Sequence, residues 1–385
     1  MSPRSGSSTL GLDTVDRAAS GLRVHELSFR RGAEKEPKFT LDKVSLAVPR
    51  GRLLAIVGPS GAGKSTLLSL LSGFERATSG TITFDGIDCA GLDPTARGIG
   101  MSFDDAALHE HLTVVANIDS AALPRDEPRQ RRHDRVKSLA RTLGIEPLLG
   151  RLPATLSAGE RRRVSVARAF IRSPKLVLLD EPFANLDRTN RFTIRQMVRE
   201  LQRSTGSAGI VVTHDPTDAL AIADDLLVLI GGRVRAFGPA NEVAARPVDL
   251  EVAQLVDDLG MHVVEITETG NCANAVLSPE FRARLSMLRS RASATGSTLV
   301  GLRPWQIRVG VPTAPSITFE AELLAREPAG LFTDLIGLRA DGRTLRARVP
   351  SADAQELPIQ SVVAFHVHES DAHLFAAPWP GRRID

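Results

Sequence analysis

No tyrosine occurs in the 385 residues, and phenylalanine and tryptophan bring aromatics to only 4%. That scarcity removes the stacking platforms on which single-stranded nucleic-acid binders rely. Cysteine is nearly absent as well: Cys89 and Cys272 lie far apart and have no metal-ligand spacing. The pair argues against a disulfide framework and fits a reducing cytoplasm. No apolar run approaches the roughly 18–20 residues that span a bilayer; "DLLVLIGG" at 225–232 is strand-sized. A membrane role would therefore be that of a peripheral subunit. A net charge of +3 is too small at this length to argue for nucleic acid by itself. The first twenty residues are rich in Ser and lack an apolar segment, so they read as a disordered tail and not a secretory signal.

What is present is the composition of a soluble globular protein, 42% apolar and 24% charged, with length for two or three domains. The stretch "LLAIVGPSGAGKSTLLSLL" (53–71) reads as a buried strand, a Gly-rich loop and an apolar helix. The loop, Gly58, Pro59, Ser60, Gly61, Ala62, Gly63, Lys64, Ser65 and Thr66, matches the P-loop pattern completely. Its glycines let backbone N–H groups curl around a β-phosphate, Lys64 reaches the β- and γ-phosphates, and the Ser65 hydroxyl ligates Mg²⁺. A second strand, "KLVLLDEP" (175–182), ends in Asp180, placed to serve Mg²⁺, and Glu181, placed to polarise an attacking water. A third, "GIVVTHDP" (209–216), brings His214 to a strand end, where α/β sheets hold their ligands. Between them stands "TLSAGERRRVSVARAF" (155–170), a serine–glycine turn before an arginine-rich helix. Alone it fits either a helix gripping nucleic acid or half of a phosphate site.

The order of these segments resembles an ATP-binding-cassette ATPase over about residues 22–245, and the resemblance decides for the phosphate site. It implies that ATP on one P-loop is closed over by Ser157 and Gly159 of a partner cassette's signature turn. It also makes "FANLD" (183–187), ending in Asp187, the D-loop, and His214 the switch histidine. The chain departs from the family at several positions. Leu156, Ser157, Ala158, Gly159 and Glu160 stand for Leu-Ser-Gly-Gly-Gln. The methyl of Ala158 is tolerable only at negative φ, and Glu160 sets a charge beside a polyanion. Asp104 stands where the Q-loop glutamine is expected; it can bind Mg²⁺ but is shorter and charged. Arg31 stands where an aromatic stacks on adenine, with Phe39 as a possible substitute. The resemblance implies ATP and Mg²⁺ as cofactors, Glu181 and His214 as catalytic, and slow but real hydrolysis.

After residue 245 alternating segments and turns such as "DGR" favour a small β-barrel. "VGLRPWQIRV" and "DAHLFA" resemble the transport-associated OB domain that follows importer cassettes, with Trp305 in place of a glutamate. The expected fold is thus an α/β P-loop cassette, RecA-like core plus helical subdomain, followed by an all-β OB-like domain. Its expected boundaries are a tail over 1–21, the cassette over 22–245 with the helical subdomain at about 100–172, and a linker helix and barrel over 246–385. The resemblance implies an importer ATPase of the sugar, polyamine, ferric iron or sulfate group, at the cytoplasmic face of the membrane. Partners would be a second cassette, identical or not, two permease subunits docked near "LHEHLTVVANI" (108–118), and through them an extracytoplasmic solute-binding protein, with no nucleic acid. A weakly active regulatory cassette of a heterodimer and a soluble non-transport ATPase are the alternatives.

Overall fold

The chain divides into two units, residues 1–245 and 246–385. The computed structural model describes residues 20–31, 38–122, 128–267, 275–291, 296–312, 315–378 and 380–385. The expected tail, but for Ser20 and Gly21, and Cys272 lie outside them.

In the first unit β1 (Gly21–Arg31) and β2 (Lys38–Pro49) precede β3 (Leu53–Val57), which leads into α1 (Lys64–Ser72). Next come β4 (Ser79–Phe84), β5 (Ile87–Asp88) and β6 (Ile99–Ser102), then the helices α2 (Val114–Ser120), α3 (Arg129–Thr142) and α4 (Ala158–Phe170). β7 (Leu176–Asp180), α5 (Arg188–Thr205), β8 (Ala208–Val212), α6 (Pro216–Ile222), β9 (Asp225–Ile230), β10 (Arg233–Pro239) and α7 (Ala240–Ala245) complete it. The main sheet runs β10-β9-β3-β8-β7-β6, parallel except for β10, and a smaller antiparallel sheet runs β2-β1-β4-β5.

Parallel strands covered on both faces must be apolar at nearly every position, and β3 and β8 are buried throughout. Alternation then sorts their side chains into two cores. Leu54, Ile56, Leu176, Leu178, Ile210 and Val212 join a core with α1 and the smaller sheet, while Leu53, Val177, Leu179 and Val211 join one with the helices. β6 belongs to the main sheet, so the helices α2, α3 and α4 follow Ser102.

The second unit contains α8 (Leu250–Leu255), β11 (His262–Ile266), β12 (Val276–Leu277), α9 (Pro279–Arg291), β13 (Thr298–Leu302) and β14 (Arg308–Val309). β15 (Ser316–Ala329), β16 (Phe332–Arg339), β17 (Thr344–Pro350), α10 (Ser351–Ala354), β18 (Val362–His368) and β19 (His373–Ala376) follow. Its sheets are β11-β13-β19 and β14-β18-β15-β16-β17, with β12 on β15. The linker helix expected across 246–260 is confined to α8, where the Asp249 carboxylate accepts from Val252 N–H at 2.9 Å. α9 was not anticipated. Ser278 starts it by accepting from Phe281 N–H at 3.2 Å, and Phe281 and Leu285, one turn apart, are buried in the β-core.

Three histidines of this unit are held neutral. Burial, and then Arg303 and Arg383, push His373 down to about 4. Burial likewise lowers His262 and His366, and His262 Nε2 accepts from Arg346 N–H at 2.8 Å. The unfolded chain protonates these rings near 6.5 and the folded chain only at lower pH, so the unfolded state binds more protons in between. Stability is therefore full above about pH 6.5 and is lost as pH falls toward 4. His373 is 9% exposed; after discounting for solvent its share is about 2 kcal/mol. In the full-length protein, His373→Leu should flatten the acid limb of Tm against pH, read by calorimetry. An acid limb as steep as the native one would remove His373 as its cause.

Candidate nucleotide-binding site

Between β3 and α1 the backbone passes too close to its surroundings for side chains. A Cβ on Gly58 would stand 2.1 Å from the Leu229 carbonyl oxygen. One on Gly63, at φ +102°, would stand 2.7 Å from Leu41 Cδ2. No side chain caps α1, so the N-terminal amides and positive dipole end of a helix anchored by Leu67, Leu68, Leu70 and Leu71 are available to an anion. Lys64 lies across the loop, its Nζ donating to the carbonyls of Gly58 at 2.8 Å and Pro59 at 3.0 Å. Burial lowers its pKa against the opposing pull of Glu181 and Asp180.

The carboxyl ends of three neighbouring strands are tied together beside this loop. Glu181 N–H donates to Val212 O at 2.9 Å, and Thr213 N–H to Ile56 O at 3.2 Å. The ties carry Asp180, Glu181 and His214 to one crevice. Glu181 sits at φ +46°, a left-handed backbone position that strains any residue with a Cβ. His214 Nδ1 lies 3.0 Å from Glu181 Oε2, but the ring N–H is not aligned on it, leaving that oxygen buried without a hydrogen bond. Burial pushes Asp180 up to about 6; Glu181 and Asp104 add to the rise, while a hydrogen bond with Ser65 and the charge of Lys64 oppose it. Lys64, Ser65, Asp104, Asp180, Glu181 and His214 thus form one electrostatically coupled group.

Asp104 follows β6 with its side chain 64% exposed. Beneath it Arg162 of α4, 5% exposed, donates from Nη1 to Phe103 O at 2.8 Å and from Nη2 to Asp104 O at 2.7 Å. The Asp104 carboxylate is 3.5 Å away. Burial works against the charge of Arg162, and Asp104, Glu181 and Asp105 support it. The sequence presented Arg162 only as one of a run of arginines. A signal was nonetheless there: Gly159, Arg162, Val166 and Ala169 repeat at three and four residues, the buried face of α4.

Ser157, Gly159 and Asp187 form a second group at the N-termini of α4 and α5. Ser157 is the N-cap of α4 in a reciprocal capping box. Its N–H and hydroxyl both donate to Glu160 Oε2, at 2.8 and 2.9 Å, and its Oγ accepts from Glu160 N–H at 3.3 Å. Ala158 opens the helix and is not among the residues with positive φ, so its methyl costs no backbone strain. A Cβ on buried Gly159 would lie 3.4 Å from Asn190, whose N–H donates to Asp187 at 2.9 Å. Arg31 ends β1 opposite Lys38; the side chains of Arg31 and Phe39 lie outside the described residues.

A family model described as ABC transporter matches residues 41–184. The sn-glycerol-3-phosphate import ATP-binding protein UgpC 1 of Rhizobium johnstonii is 35% identical over 345 residues, 89% of this chain and 91% of its own length. UgpC of Rhizobium meliloti is 35% identical over 343 residues, 89% of this chain and 94% of its own. Among solved structures, the dimeric MJ0796 cassette of a bacterial ABC transporter aligns with a TM-score of 0.53 at 27% identity, covering 57% of this chain and 98% of that one. Its post-hydrolysis dimer with ADP and Pi aligns at 0.52, also at 27% identity and over the same shares. The matched segment takes in the loop and the strand that ends in Asp180 and Glu181, and the chain belongs to the ATP-hydrolysing subunits of ABC transporters.

Proposed function

We propose that the chain powers an importer of a small polar solute across the cytoplasmic membrane, with two cassettes closing on two ATP molecules beneath two permease subunits. The observation that carries this reading is that the P-loop and the Asp180–Glu181–His214 group occur in one unit with a well-formed signature turn. A single chain thereby holds both halves of a site that two chains complete. Glu181, with its buried Oε2 lacking a donor, would take a proton from the water attacking the γ-phosphate, and His214 would orient that carboxylate. Ser65, Asp180 and Asp104 would hold Mg²⁺, whose charge would offset that of the phosphates. The donor set suits it: oxygen ligands only, with a carboxyl pushed up to about 6 by burial and then by neighbouring acids whose charge a cation would offset.

Asn117 supports a permease docking surface near 108–118. It is fully buried, accepts from His109 N–H at 2.8 Å, and donates to the carbonyls of His109 and Leu112 at 3.0 and 2.9 Å. Beside this braced loop lies a cleft of about 170 Å³, lined among others by Phe103, Ala106, Ala121 and Arg168. No helix among the described residues is long and apolar enough to cross a membrane, so the permease would supply the passage. The two relatives' names favour sn-glycerol 3-phosphate as solute, delivered by an extracytoplasmic binding protein. Uptake of the labelled ester in cells lacking this chain, restored by the native form and not by Lys64→Ala, tests the reading. Uptake independent of the chain would reject that solute.

One observation favours the alternative of a regulatory cassette in a heterodimer: the Ser157 hydroxyl is already occupied by Glu160. The carboxylate would compete with a partner's γ-phosphate for that donor. Glu160→Gln keeps the capping pattern and removes the charge. It should strengthen ATP-dependent dimerisation by about three- to tenfold, on the order of 1 kcal/mol, read by analytical ultracentrifugation in the Glu181→Gln background. Unchanged dimerisation would leave Glu160 as a helix cap alone.

A further inference from the structure

We propose that Arg162 is a positioning residue: from the signature helix its forked contact fixes the place of Asp104 against Asp180 and Glu181, while its charge tempers how readily the site accepts a divalent cation. The inference rests on reading that group as the ATP site.

Four observations carry it. The guanidinium is buried and spends two donors on consecutive carbonyls, Phe103 and Asp104, which immobilises backbone and not merely a side chain. Further along the same helix, Arg168 donates to Ala107 O, so two arginines of α4 clasp the segment 103–107. Within that segment Ala106 and Ala107 hold φ of +61° and +39°, left-handed values that alanine keeps only when its surroundings impose them. Finally, Ser102 and Ser165 share a buried hydroxyl–hydroxyl hydrogen bond of 2.8 Å, binding the end of β6 to α4. An aspartate is one methylene shorter than a glutamine, so its reach depends more heavily on where the backbone is held. Arg162 also contributes the positive charge nearest to Asp104 that the described side chains show, and it feels Glu181 as well. It partly neutralises the carboxylates that a cation would otherwise neutralise, and any rotation of the signature helix must carry Asp104 with it.

The test compares Arg162→Gln, Arg162→Lys and Arg162→Gln with Asp104→Asn in the full chain. Two readouts are independent of turnover. Amide hydrogen exchange over 102–107 in nucleotide-free protein should rise about tenfold or more in both Arg162 variants, because each loses the forked contact. The Mg²⁺ concentration that half-saturates binding of a non-hydrolysable ATP analogue should fall about threefold or more in Arg162→Gln, where a cation is lost. It should stay near native in Arg162→Lys, and the fall should vanish when Asp104→Asn is added. The ATPase kcat should drop about tenfold in Arg162→Gln. A residue that merely stabilised α4 would lower Tm without moving the Mg²⁺ midpoint. Native exchange in either variant, or a native Mg²⁺ midpoint in Arg162→Gln, overturns the proposal. Should Arg162→Gln not fold, Arg162→Lys decides by exchange: faster supports the tether and native-like rejects it. Loss of the ATP-site reading would show separately, as undiminished nucleotide affinity in Lys64→Ala.

Discussion

Glu181→Gln will bind ATP with close to native affinity and release phosphate about a thousandfold more slowly. The substitution is isosteric and leaves the Glu181 N–H bond to Val212 and the strand ends in place. What it removes is the proton acceptor: Oε2, buried without a hydrogen bond while the ring of His214 stands 3.0 Å away out of line. General-base contributions reach about 10²–10⁴-fold, and a thousandfold is about 4 kcal/mol of barrier. With the γ-phosphate retained, two cassettes should remain closed on each other. Single-turnover phosphate release measures the first effect and ATP-dependent light scattering the second. A variant that hydrolyses ATP at the native rate would remove Glu181 as the base.

Lys64→Ala will lose nucleotide and little else. Its Nζ is the cation of the P-loop, and its partners in the structure are the Gly58 and Pro59 carbonyls. Of these, Pro59 is exposed and can turn to water. Withdrawing the charge from the β- and γ-phosphates should weaken ATP binding about a hundredfold, roughly 3 kcal/mol, while the loop amides and α1 keep a residual affinity. Calorimetric titration reads the loss, and an unchanged Tm shows that the fold has survived. Undiminished affinity would place the nucleotide elsewhere.

The P-loop was legible because its chemistry is local: the glycines, lysine and serine act within one turn, at a spacing the backbone dictates. Asp180, Glu181 and His214 were legible because apolar runs announced the strands that end in them. Arg162 was not distinguished, since only the phase of α4 turns it inward while Arg161 faces Glu110. Glu160, as sequence, is a charge beside a polyanion. The pattern "SAGE" also spelled a capping box, and the folded chain forms it. The coupling of Asp104 to Asp180 joins β6 to β7, neighbours in space that three helices separate in sequence. No local pattern records such a meeting. α9 carries only Phe281 and Leu285 as buried residues, so its helical period is faint beside the alternation of the strands around it.

The sorting of β7 into two cores bears on how the gene tolerates change. Leu176 and Leu178 serve one core, Val177 and Leu179 the other, and the strand hands on directly to Asp180 and Glu181. A one-residue insertion or deletion inside it would reverse the parity of every side chain beyond the lesion. Asp180 would then point where a leucine packs, and Glu181 would leave the crevice. Exchanges among Leu, Ile and Val keep that parity and should be forgiven. In a library of single-codon insertions β7 should therefore be barren, while the exposed turn at 340–343 between β16 and β17 should accept them freely.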